Sequence, residues 1–77
     1  MPHFVQDALG RCDFIDVLEE AVLQRRRVAV QLRAGEHFRD QVVDVVTEAG
    51  DDFAVFRAHP RVAVGDIAAL GPDDAPG

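Results

Sequence analysis

The side chains able to do chemistry in this 77-residue chain are mostly carboxylates, and their densest spacing lies early. Asp13, Asp16, Glu19 and Glu20 recur at intervals of three and four, which on an α-helix sets them along one ridge. Carboxylates so placed can run general acid–base catalysis or attract a basic partner. Catalysis needs a cleft around the pair, and a domain this small has little room for one. Other reactive groups are scarce. The chain lacks Ser, Tyr and Lys, has Thr47 as its one Thr, and offers Cys12 without a local motif that pairs it with a histidine. Cys12 is expected to be partly buried and inert. His3, His37 and His59 show no ligand spacing and read as surface or turn residues, so no metal is expected. Each glycine stands alone at a turn, without the Gly-rich loop that cradles phosphate, and no cofactor is expected. These residues do not predict an enzyme.

Charge narrows the choice further. Fourteen acidic residues against eight arginines leave a formal net charge of −6. Grip on nucleic acid depends on neutralising phosphates, so direct nucleic-acid binding is not expected. An acidic domain is better suited to docking on a basic surface. The one basic run, Arg25-Arg26-Arg27, follows the ridge and reads as three cations favoured at a helix C-terminus. No apolar run approaches the roughly 20 residues of a membrane span, and no leader pattern opens the chain. A single cysteine suits a reducing compartment, so a cytoplasmic location is expected.

The ridge needs a helix to carry it. Asp13 has the chemistry of an N-cap, and Phe14, Ile15, Leu18, Ala21 and Val22 follow at core-facing spacing, which predicts a helix over residues 13–26. Val28, Val30 and Leu32 then alternate with Ala29, Gln31 and Arg33 as in a half-buried strand. After the Ala34-Gly35 turn the alternation breaks into two valine doublets, Val42-Val43 and Val45-Val46, around Asp44. A strand with apolar residues on both faces must be covered twice or bend. Such a long, bent second strand is the centre of a small five-stranded barrel of the Sm-like or SH3-like kind. Strands are expected at about 27–34, 36–47, 53–58, 61–64 and 67–70, giving a mainly β domain over 12–70 with one N-terminal α-helix. Residues 1–11 read as a partly flexible lead-in and 71–77 as a frayed tail. The turn at Glu48 to Asp52 adds three carboxylates to the acidic inventory.

Three blocks carry a family resemblance: C-D-F-I-D-V-L-E-E-A (Cys12 to Ala21), L-R-A-G-E (Leu32 to Glu36) and V-D-V-V (Val43 to Val46). In register they resemble the Rho-binding antiterminator family, the Rof proteins, which carry a C-D-x-x-D-x-L-E-x-A helix, an L-x-x-G-E hairpin and a D-x-V element. The resemblance spans residues 12–70. It implies an Sm-like open barrel and a binding module whose partner is the hexameric termination helicase Rho, kept from loading RNA. Carried over by position, the family's acidic helix residues fall on Asp13, Asp16 and Glu19. Ile15 stands where the family has an aromatic, which makes Phe14 its substitute, and the Glu48-Ala49-Gly50 loop is acidic where a relative's is basic and polar. The expected partner-binding set is therefore Asp13, Phe14, Asp16, Glu19 and Glu20, joined by Glu48 and Asp51, on a monomer or weak oligomer. Two other readings fit the pattern: an Sm-like RNA-binding oligomer, and an adaptor domain docking on a different basic protein.

Overall fold

The computed structural model describes residues 3–73. It is mainly β, one antiparallel open sheet of six strands packed with one long helix. In chain order the elements are β1 (Phe4–Val5), α1 (Gln6–Leu9), α2 (Arg11–Gln24), β2 (Arg27–Leu32), β3 (His37–Glu48), β4 (Asp51–Phe56), β5 (Val62–Ala63), a 3-10 turn (Val64–Asp66) and β6 (Ile67–Pro72). The strands lie in the order β1-β6-β2-β3-β4-β5. None of the helices is long and apolar enough to cross a membrane among the described residues.

The bend expected from the valine doublets sits in β3. Its first half pairs with β2, from Gln31 opposite His37 to Arg27 opposite Gln41. Its second half pairs with β4, from Val42 opposite Phe56 to Glu48 opposite Asp51. The register shifts between Val42 and Asp44, leaving Val43 as an extra residue at a bulge. Val42 is wholly buried, and the two residues after it, Val43 and Asp44, both point outward. One strand thus serves two halves of the sheet, and the core lies between them.

Into that core α2 inserts Phe14, Leu18 and Ala21, which meet Val28 and Val30 of β2, Val42 of β3, Ala54 and Phe56 of β4, and Ile67 and Leu70 of β6. Burying Phe14 and Leu18 stabilises the helix's seat by about 1.5–3 kcal/mol each. With Asp40, Gln6 is one of two buried polar residues among the described residues. Its side-chain amide donates to the carbonyls of Val64 at 2.8 Å and Ile67 at 2.6 Å, while its oxygen accepts from Arg11 Nε at 3.0 Å. These bonds fasten α1 to the 3-10 turn.

Several boundaries differ from the sequence reading. Residues 1–11 contain two elements, because Phe4 and Val5 pair with Leu70 and Ala69 and so add a sixth strand to the expected five. Helix α2 starts at Arg11 with Gly10, φ +89°, before it, and no side chain caps it. Asp13 is therefore a first-turn residue favoured by the helix dipole, not a cap. The helix ends at Gln24, where Arg25 turns into the left-handed region (φ 53°) and Arg26 N–H donates to Ala21 at 3.3 Å. The arginine triplet thus lies beyond the helix, with Arg27 opening β2, rather than in its last turn. The expected strand over 61–64 is reduced to two residues because Val64 turns inward to the core. At the tail, Gly71 and Pro72 pair with Ala29 and Val28, and the Asp73 carboxylate accepts from Arg27 at 3.0 Å and meets Arg39 at 3.4 Å. The rest of the expected tail, 74–77, lies outside the described residues.

Candidate partner-binding face

The outward side of α2 is the most strongly acidic surface formed by one element. Asp13, Asp16, Glu19 and Glu20 are all exposed, because the three-and-four spacing that buries Phe14, Leu18 and Ala21 sends the alternate positions to solvent. Glu20 accepts from the Gln24 amide at 2.6 Å. Among the described residues, none of the four forms an ion pair. Four carboxylates elsewhere are engaged: Asp7 with Arg33, Asp40 with His59, Glu48 with Arg61 and Asp73 with two arginines. A groove of roughly 430 Å³ runs beside the helix, with Phe4, Val17 and Ala21 in it and Asp16, Glu20, Gln24 and Arg26 around it. On the opposite flank Glu19 and Asp44 share a smaller groove with Val22, Leu23 and Val45. Asp44 was not among the expected contacts. Its signal in the sequence was a lone charge between two valine doublets, which the bulge turns outward.

The expected set does not assemble as a whole. Phe14 is wholly buried in the core and cannot meet a partner on a folded domain, so its place in that set is corrected. An apolar residue at helix position 14 shares the face of Leu18, four residues on, and that face is inward. Glu48 and Asp51 are exposed but face each other across the β3–β4 turn, away from the grooves along α2. The guanidinium of Arg61 hydrogen-bonds Glu48 and holds its carboxyl below the usual range. Arg61 also lies over the Phe53 ring, 4.4 Å from its centroid. Glu48 is thus already neutralised within the domain. Cys12, expected to be partly buried, is exposed at the start of α2.

A second cluster lies on the sheet. Asp40 is buried, yet its Oδ1 accepts from Gln41 N–H at 2.7 Å and its Oδ2 from Ala58 N–H at 2.9 Å. His59 Nδ1 lies 2.6 Å from the same Oδ2, and its ring stacks on Phe38 with centroids 4.3 Å apart. Burial alone would raise the Asp40 pKa, but the His59 hydrogen bond and the two amides outweigh it and hold the carboxyl below its usual range. The pair has the geometry of an oriented imidazole, and among the described residues His59 hydrogen-bonds Asp40 and stacks on Phe38, with no hydroxyl or thiol bonded to it. It ties the Arg57-to-Pro60 break onto β3. Sequence reasoning took His59 for a turn residue and did not connect it to Asp40, because a 19-residue separation leaves no local pattern. Among the described residues, no group of three or more His, Cys, Asp or Glu side chains is placed to hold a metal ion.

Set against family models, curated proteins and solved structures, the chain matches none.

Proposed function

We propose that this domain is an inhibitory protein-binding module. The exposed face of α2 docks on the basic RNA-loading surface of the termination factor Rho and so prevents Rho-dependent termination. One observation carries the reading: Asp13, Asp16, Glu19 and Glu20 lie exposed on one helix without cationic partners among the described residues, whereas Asp7, Asp40, Glu48 and Asp73 are paired with Arg or His. Unpaired carboxylates on a rigid helix compete for the same Arg and Lys side chains that otherwise neutralise RNA phosphates. Rho as the particular partner rests on the three-block resemblance in the sequence. An Sm-like barrel is the fold proposed for the scaffold. The neighbour order β6-β2-β3-β4-β5 and the bend in β3 support it, with β1 as an addition at one edge.

The test is fluorescence anisotropy of a labelled RNA on purified Rho. The unmodified domain lowers the bound fraction, and Asp16→Arg with Glu19→Arg abolishes that effect. Both positions are exposed, so the double variant keeps its fold, checked by circular dichroism. Inhibition by the double variant equal to that of the parent would remove α2 from the interface. Recovery of a different basic protein, with no effect on Rho, would replace Rho by an adaptor role.

A further inference from the structure

Leu23 is the least expected surface residue on α2. It is 80% exposed, whereas the other apolar positions of the helix are buried or half-buried. Its position is not random with respect to charge. Leu23 is three residues from Glu20, four from Glu19 and seven from Asp16, so it lies on the same outward ridge. It also has an apolar neighbour across the groove. Val43, the extra residue of the β3 bulge, is 41% exposed and lines a groove of roughly 400 Å³ with Leu23, Val22, Gln41 and Arg25. Val43 follows buried Val42, so strand alternation turns it outward, and the bulge turns the next residue, Asp44, outward on the same stretch. Glu19 and Asp44 stand at the adjoining groove, which shares Val22 and Leu23.

Resting on the docking reading above, we infer that Leu23 and Val43 form the apolar anchor of the α2 face. The segment they receive is protein, with an apolar side chain flanked by Arg or Lys. The apolar side chain enters between Leu23 and Val43, and the flanking cations meet Glu19 and Asp44. Charge complementarity selects this occupant. A second copy of the chain carries the same net charge of −6 and is repelled on balance, and nucleic acid or an anionic membrane has the wrong sign for Glu19 and Asp44. The division of labour follows from the physics of interfaces. Long-range carboxylates steer and select, while a desolvated apolar contact near the centre of the patch holds the complex.

The probes are two synthetic peptides of equal charge, one alternating Arg and Leu and the other Arg and Ser. Each is titrated against the isotopically labelled full chain and followed by amide NMR shifts. The Arg–Leu peptide binds at least about tenfold tighter, with shifts centred on Leu23 and Val43. Leu23→Gln, which keeps a good helix former at an exposed site, removes most of that preference. Asp16→Arg with Glu19→Arg weakens both peptides alike. Equal affinity for the two peptides, no binding of either, or a preference that survives Leu23→Gln overturns the inference. These outcomes separate from those of the preceding section. Equal peptide affinities, with Rho inhibition still lost in the charge-reversed variant, leave the acidic face in place and remove the anchor. A Leu23-dependent preference with no effect on Rho keeps the anchor and removes Rho.

Discussion

Replacing Asp40 by alanine deletes one buried carboxylate that serves two backbone amides and a histidine ring. The His59 contribution is small, because its side chain is 40% exposed and water can take the lost bond. The amides of Gln41 and Ala58 matter more. A hydrogen bond to a charged acceptor contributes about 1.5–3 kcal/mol, so losing both costs about 3–5 kcal/mol after partial rehydration. A domain of this length has a total stability of roughly 4–12 kcal/mol, so Asp40→Ala removes a large share of it. Urea unfolding measures this directly as a fall in midpoint at unchanged slope. His59→Ala serves as the control and costs about 1 kcal/mol, including the lost stacking on Phe38. A loss below about 1 kcal/mol in Asp40→Ala would refute the assignment of the carboxylate as a structural tie. The same group sets an acid dependence. The folded-state pKa of Asp40 is depressed, so its contribution is complete above the unfolded-state value and is lost as pH falls through the lower folded value. Asp40→Asn flattens stability across that acid window, whereas the parent declines there.

Other outcomes follow from single positions. Ala49 and Gly50 both have positive φ, 53° and 84°, in a two-residue hairpin turn that favours Asn-Gly. Ala49→Asn therefore raises stability by about 0.5–1 kcal/mol, read as an increase of about 2–8 °C in thermal midpoint. Gln6→Ala strands the carbonyls of Val64 and Ile67 and costs about 2–3 kcal/mol, with faster hydrogen exchange through α1 and the 3-10 turn.

The parts of this fold that could be read from sequence are those with a local period. The β2 alternation appears as buried Val28 and Val30, and the valine doublets appear as a strand divided between two partners. The helix was legible because Phe14, Leu18 and Ala21 repeat at its pitch. The same pitch should have kept Phe14 out of the contact set, since it shares a face with Leu18. What failed to show were elements made by tertiary pairing. Phe4 and Val5 are strand only because Leu70 and Ala69 stand beside them, and two residues carry no period. Gly10 before α2 overrode the apparent cap at Asp13 because glycine alone reaches its backbone angle without strain. At the site, exposure of the acidic ridge was readable, but the pairing of Glu48 with Arg61 spans 13 residues and the outward turn of Asp44 depends on a one-residue register shift.

The pairing of β1 with β6 bears on how the protein behaves at high concentration. The outer side of β6 would otherwise present unpaired amides and carbonyls beside Leu70, and at the far edge β5 has two residues. Short or covered edges keep sheets from recruiting one another end to end. Phe4 and Val5 therefore act as a plug against strand-to-strand addition. A variant lacking them retains the helix, the bent strand and the acidic face, yet its backbone is open to a neighbour. For this domain, the covering of that edge is held by two residues, Phe4 packed against the core and Val5 exposed beside it.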